Sequence, residues 1–329
     1  STQGYSSAAS DVYKRQPDKS FELELWTWNE MEVPTLQRDG RYRQDKSVTY
    51  IYDIFSKKLT EVAPFTVDLL LPSGAENLNY VLYTDESPYK MQREWLDRLP
   101  FDIYSVNVHT GAKRLIGRSY RTAPKWSVNG KWAVMYDPIA QVWNKFDGAT
   151  GKVVNISDAI GYPMFVESYD KPAPAPAYGI AGWTADGNNV FLYDAYDWWK
   201  IDLTGERQPE CLTKGYGRKH GKSIRKMTSN IDKDVFQKDE KVIVSLWDKD
   251  TMDEGVYQLD MKGRLRKLME GNYVYTIHRF SDNHEYCVWN RQNVSEFRDL
   301  WWSKSDFSNS VKVTNANPQQ ADYKWGTVK

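Results

Sequence analysis

Serine-based acyl hydrolysis needs a nucleophile on a sharp strand-to-helix turn, written G-x-S-x-G, with a histidine close by to take its proton. The 329-residue chain offers only GKSIR (Gly221 to Arg225), which lacks the second glycine. Its four histidines, His109, His220, His278 and His284, fall where turns and strands are expected, so no catalytic residue is assigned. Metal chemistry fares no better. WDKDTMDEG (Trp247 to Gly255) has acids at Asp248 and Asp250, but Met252 and Asp253 stand where a calcium loop needs a ligand and a glycine. An acidic hairpin tip fits that segment better. His284 and Cys287 form one H-x-x-C pair with no second pair at zinc spacing. GYGRKHGKSIRK (Gly215 to Lys226) is glycine-rich and basic, yet it lacks the strand-loop-helix context of a phosphate loop. No metal and no cofactor is therefore expected. Trp198-Trp199 and Trp301-Trp302 could stack on sugars or bases, but on strands they are read as packing between neighbouring sheets. One pair of acids remains. Glu167 and Asp170 immediately precede Pro172, Pro174 and Pro176, which stiffen that stretch towards an extended form.

The elements that would position these residues are strands. Trp 14, Tyr 22 and Phe 11 make the chain 14% aromatic, a composition that favours pleated, half-buried surfaces. A unit of turn, strand, strand and turn then recurs. In its clearest copy, GWTADGNNVFLY (Gly182 to Tyr193) precedes DWWKIDLTGERQPECLT (Asp197 to Thr213). Asp186-Gly187 supplies the tight turn, and Trp198, Lys200 and Asp202 alternate with Trp199, Ile201 and Leu203. Glu206 to Thr213 is expected to return as a further strand. Other copies are Lys125 to Tyr136 with Val142 to Ser157, Arg279 to Trp289 with Asp299 to Thr314, Val242 to Trp247 with Gly255 to Met269, and Tyr80 to Asp85 with Phe101 to Ile116. A partial copy spans Val48 to Val62. Third strands start at Asp102, Val142, Asp197, Gly255 and Asp299, at intervals of 40 to 58 residues. That is the length of a four-stranded propeller blade with insertions, and too short for tandem immunoglobulin-like domains. Ser87 to Leu99 is the one stretch expected to turn helically. The fold class is thus all-β: a β-propeller of four-stranded blades, with about six blades present of an expected seven or eight, and therefore open.

Charge and hydropathy narrow the partners. Lys plus Arg and Asp plus Glu are 44 each, which argues against nucleic acid or an anionic membrane. With a mean hydropathy of -0.70, no apolar run approaches the roughly 18 residues of a membrane span. Two cysteines cannot build a disulfide framework. Residues 1–16, STQGYSSAASDVYKRQ, read as a non-native scar or a disordered terminus, leaving 17–329 as the propeller. The closing YKWGTVK reads as the opening of another strand, so both ends look cut.

The pairing of W-[ST]-x-[DN]-G with D-[IL]-[WY] resembles the blade signature of the prolyl oligopeptidase family of serine peptidases, and also that of TolB-like propellers. Phe21 to Gln37, Val166 to Gly187 and Thr314 to Val328 resemble, respectively, an early blade, a blade connector and the exit from the last blade in that family. The resemblance implies that a catalytic α/β-hydrolase domain, absent from this chain, belongs to the full-length protein, present as a monomer or a homodimer. The propeller would gate access of short peptides. It also implies a periplasmic or other extracytoplasmic location. In the dipeptidyl-peptidase branch an acidic pair from the propeller anchors the substrate's amino terminus. Glu167 and Asp170 are the residues here that could do so, since an ammonium needs charge-assisted acceptors. They are separated by Ser168 and Tyr169 rather than adjacent, and the alternative is a solvated loop. The rival reading of the whole chain is a free-standing TolB-like binding module.

Overall fold

The structure, a computed structural model, describes residues 48–64, 69–72, 79–93, 95–227 and 234–326, with a few isolated positions besides. The supposed scar at 1–16 lies outside the described residues, as does most of Phe21–Gln37. Six sheets follow one another along the chain, antiparallel except for one short parallel pair in the fourth. The first is a hairpin of β1 (Thr49–Asp53) and β2 (Lys58–Ala63). The second holds β3 (Leu69–Pro72), β4 (Tyr80–Asp85), β5 (Phe101–Asn107) and β6 (Lys113–Tyr120), and the third β7 (Lys125–Trp126), β8 (Trp132–Asp137), β9 (Val142–Asp147) and β10 (Val153–Asn155). The fourth comprises β11 (Ile180–Thr184), β12 (Asn189–Tyr193), β13 (Trp198–Asp202) and β14 (Glu210–Cys211). A single helical turn, α1 (Tyr216–Lys219), leads into β15 (Lys222–Lys226). The chain then makes an excursion through β16 (Val235–Phe236) before β17 (Lys241–Asp248), β18 (Glu254–Asp260) and β19 (Leu265–Gly271) complete the fifth sheet. The sixth is β20 (Val274–Phe280), β21 (Tyr286–Gln292), β22 (Leu300–Lys304) and β23 (Val311–Lys312).

Period-two patterning gives every middle sheet two buried faces, and each face packs on a neighbour in sequence. On β12, Val190 and Leu192 enter a core with Val134, Tyr136 and Trp143 of the third sheet. Phe191 and Tyr193, on the other face, enter a core with Ile224, Val244 and Leu246 of the fifth. The expected alternation on β13 holds: Trp198 packs towards the fifth sheet, Ile201 and Leu203 towards the third. Three further cores join the first sheet to the second, the second to the third, and the fifth to the sixth. Removing each buried Leu, Val or Phe from water contributes about 1.5–3 kcal/mol, which makes this stacking the main source of cohesion. Four-stranded sheets stacked face to face in chain order define the β-propeller. Among the described residues no core joins the sixth sheet to the first, and these six sheets form no closed ring. The outward faces of those two sheets are bare, with Tyr52 55% exposed on β1 and Val311 54% exposed on β23.

Two of the repeat's aspartates share a task. Asp102, Asp197 and Asp299 stand at the starts of β5, β13 and β22, all buried. Asp197 accepts the Thr213 hydroxyl (2.6 Å), and Asp299 accepts that of Thr314 (2.8 Å). Each threonine oxygen in turn accepts the first amide of the third strand, from Trp198 (3.2 Å) and Leu300 (2.9 Å). In the fourth and sixth sheets the motif thus ties the end of the blade to the start of its third strand, whereas Asp102 accepts the Tyr89 hydroxyl (2.5 Å) and the Ser119 amide (3.1 Å). In the third sheet Val142 takes the aspartate's place, and Ser157 alone accepts the Trp143 amide (2.9 Å).

Several details differ from expectation. The return strand after β13 is only Glu210–Cys211, because the Asp202 carboxylate gathers the amides of Thr204, Glu206 and Arg207 into a turn. The glycine-rich, basic Gly215 to Lys226 forms α1 and β15, and Ser223 of GKSIR is buried on that strand. Trp302 does not pack between sheets but stacks on Tyr286 (5.1 Å between ring centres) on the bare face of the sixth. After β23 the described chain ends in a 3-10 turn, Pro318–Asp322, and no further strand is seen through Gly326. The expected helical turn near Ser87 is a 3-10 turn, Ser87–Gln92.

Candidate functional site

Because strands in each sheet alternate in direction, turns emerge at two ends. One end carries the second-to-third-strand turns and the connectors between sheets. The other carries the first-to-second and third-to-fourth turns. That neighbouring sheets share this polarity is clear at the second end, where Asn129 donates to the Asp186 carbonyl (2.9 Å) and to Asn188 Oδ1 (3.3 Å).

The connector end holds Glu167 and Asp170. Between β10 and β11 the chain folds back on itself: Val166 N–H donates to Pro176 O (2.8 Å), Tyr178 N–H to Met164 O (3.2 Å), and Phe165 bridges Ala177. Met164 is buried in the core between the third and fourth sheets, which anchors the base of this small hairpin. The Tyr136 hydroxyl donates to Ala175 O (3.1 Å) and pins its tip. Glu167 and Asp170 project from it, exposed, and Tyr169 lies between them. Tyr169, Pro174 and Pro176 form one wall of a cleft of about 340 Å³, with Arg98 and Arg121 across from them. The two acids sit beside this cleft and do not line it. The structure therefore keeps them on one braced loop, while the cleft itself presents guanidinium groups. Those groups are partly occupied: Arg121 approaches Asp97 at 3.8 Å, and Arg98 donates to the Arg121 carbonyl (3.4 Å).

Beneath the hairpin lies a buried ionic network that the sequence did not reveal. Asp194, fully buried in the turn between β12 and β13, accepts the amides of Tyr196 (2.7 Å) and Asp197 (2.6 Å), the Trp199 indole (3.1 Å) and Arg218 Nη2 (3.0 Å). Asp197 also accepts the amides of Gly217 (2.9 Å) and Arg218 (3.0 Å), holding α1 against the blade. The Arg218 guanidinium lies 3.9 Å from the Tyr162 ring and 5.0 Å from that of Tyr196. Burial opposes its charge, but the bond and field of Asp194 outweigh that and hold its pKa above the usual value. Arg225 donates to the Asp194 carbonyl (2.6 Å) and faces Tyr193 (4.7 Å) and Tyr178 (5.3 Å). There burial dominates and lowers its pKa. Burial also raises the Tyr178 phenol, whose oxygen accepts the Glu167 amide (3.4 Å). The network braces the connector hairpin through Tyr178, while the Arg218 side chain keeps partial contact with solvent. An Asp-x-x-Asp spacing at a blade turn was its only trace in the sequence, because Arg218 and Arg225 come from well beyond the turn.

Of the histidines, His109 and His284 occupy turns and His278 lies on β20, while His220 closes α1. Asp248 does cap a hairpin tip, accepting the amides of Asp250 (3.0 Å) and Thr251 (3.1 Å). Among the described residues no helix is long and apolar enough to cross a membrane.

No protein-family model matches the sequence, and no curated protein matches it. Solved structures similar to it include Porphyromonas gingivalis dipeptidyl peptidase 4, at 11% identity and TM-score 0.46, covering 84% of this chain and 44% of that one. TolB from Acinetobacter baumannii matches at 15% identity and TM-score 0.36, covering 78% of this chain and 57% of its own. Pyrococcus horikoshii acylaminoacyl peptidase matches at 11% identity and TM-score 0.37, covering 85% and 43%. The chain spans roughly half the length of these proteins, and peptidases and TolB proteins both occur among the matches.

Proposed function

We propose that this chain is the non-catalytic propeller portion of a prolyl-oligopeptidase-family serine peptidase. Its role would be to admit short peptides to a catalytic domain and to exclude folded proteins. The reading is carried by the recurrence of the family-like blade signature at equivalent structural positions. Trp126–Gly130 and Trp183–Gly187 both build the first strand and first turn of their sheets, and Asp102, Asp197 and Asp299 all open third strands. The braced connector hairpin adds support, since it holds Glu167 and Asp170 in water beside a peptide-sized cleft. In this reading the two carboxylates receive the ammonium of a substrate's amino terminus.

The test uses the full-length protein encoded by the gene. It should carry a serine that a fluorophosphonate labels, whereas the 329-residue chain alone should stay unlabelled. Glu167→Gln and Asp170→Asn should each reduce turnover of peptides with free amino termini about tenfold, the value of one lost charge-assisted bond. N-acylated peptides should be affected little. Equal losses on both substrates, or none, would return these acids to a solvated loop. A gene with no nucleophile turn would favour a TolB-like binding module instead.

A further inference from the structure

At the opposite end of the sheets from the connectors lies a second cleft, of about 460 Å³, between the fourth and fifth sheets. Its floor is apolar: Phe191 and Phe236, with ring centres 5.8 Å apart, and Met261, which packs on the same core. Phe236 reaches this position through β16, which leaves the fifth sheet and pairs in parallel with β11 of the fourth. Three lysines line the cleft. Lys200 projects from β13 on the same face as Trp198 and is half-buried, while Lys238 and Lys262 stand exposed. Among the described residues, none of the three ammonium groups makes a hydrogen bond or an ion pair. The one carboxylate in the wall, Asp186, is already committed. Its oxygens accept the Thr184 hydroxyl (2.5 Å) and the Asn188 backbone (2.9 Å) and side-chain (3.3 Å) amides.

Lys200 feels the field of Asp186 without bonding to it, so three ammonium groups face one committed carboxylate and the surplus positive charge calls for an anion. An apolar floor below it calls for a body that prefers to leave water. We propose that this cleft binds a small organic anion, a carboxylate or phosphate carried on an apolar group, with Lys200 as its central contact. Lysines offer point charges rather than the planar fork of arginine, so either headgroup satisfies them. The site is independent of the connector hairpin and of any peptidase role.

The binding is read by fluorine NMR on the 329-residue chain at low salt, with 4-(trifluoromethyl)phenylacetate and 4-(trifluoromethyl)phenyl phosphate as probes. The uncharged 4-(trifluoromethyl)benzyl alcohol is the control. At least one anion should bind with a Kd below about 1 mM, and the alcohol about tenfold more weakly. The tighter of the two anions identifies the headgroup. Lys200→Met should weaken anion binding about tenfold, and the exposed pair Lys238→Gln with Lys262→Gln should weaken it severalfold without touching the core. Raising the salt should act in the same direction. If the alcohol binds as well as the anions, or if neither the Lys200 variant nor the double variant shifts affinity, the cleft is no anion site. The double variant keeps the question decidable should Lys200→Met fail to fold.

Discussion

Truncating Asp197 to alanine should cost this protein much of its stability, and the size of the loss follows from its partners. The side chain is 1% exposed and accepts the Thr213 hydroxyl and the Gly217 and Arg218 amides. Alanine leaves three donors buried without acceptors, each costing about 1–3 kcal/mol where water cannot reach it. Water entering the vacated volume recovers part of that, so a net loss of about 3–5 kcal/mol is expected against a typical total of about 5–15 kcal/mol. Asp197→Asn keeps one carbonyl acceptor and should lose less, about 1.5–3 kcal/mol. Asp239→Ala, at an exposed position, is the control and should change stability by less than about 0.5 kcal/mol. The assay is urea unfolding followed by tryptophan fluorescence, because Trp198 is adjacent and fully buried. Its N–H donates to the Thr213 hydroxyl (3.2 Å), so the same variant should also expose it to hydrogen exchange. A loss below about 1 kcal/mol for Asp197→Ala would refute the reasoning that this aspartate fastens its blade.

Acid should weaken the sixth sheet through Asp299. Burial works to raise its pKa, but Lys312 (2.8 Å), the Ala316 amide (2.8 Å) and Thr314 together hold it below its ordinary 3.8. In the interval between the folded and unfolded values only the unfolded chain takes up the proton. The stabilisation is therefore complete above 3.8 and drains away as pH falls through the folded value. Asp299→Asn should flatten this acid limb of a stability-against-pH curve; an unchanged limb would contradict the assignment. Gly182→Ala should undock β16. At φ +155 an added Cβ would lie 2.6 Å from the Phe236 ring and 2.7 Å from the Asp234 carbonyl. The expected loss is about 1–3 kcal/mol. The amides of Trp183 and Ala185, which donate to Asp234 O (2.7 Å) and Phe236 O (3.0 Å), should lose protection from exchange. Retained protection would mean that β16 is held by other contacts.

The sheets were legible because their signals are local. Asp186-Gly187 closes a turn where Gly187 has φ +68 and its amide donates to Thr184 O (2.8 Å), and alternation along β13 sorts side chains onto two faces. The excursion through β16 was not legible. It is two residues long, and its partner β11 belongs to the preceding sheet, so neither period nor turn chemistry announces it. The connector acids were legible as a pair on one loop but not in relation to a cleft, since Arg98 and Arg121 come from another sheet's insertion and connector. The Asp194–Arg218 ion pair was invisible for a related reason, because a 24-residue separation carries no periodic signal.

The open stacking also decides how the molecule comes apart. In a closed ring, every blade is clamped from both sides, and losing one means breaking two interfaces at once. Among the described residues cores join only each sheet to the next, so this part of the chain behaves as a row of coupled units, each with its own intrinsic stability and one or two junctions. The first sheet, a two-stranded hairpin held by a single core around Val62 and Tyr83, is the weakest unit in that row. Melting should start there and advance inward, so one global free energy describes this chain less well than a succession of partial openings.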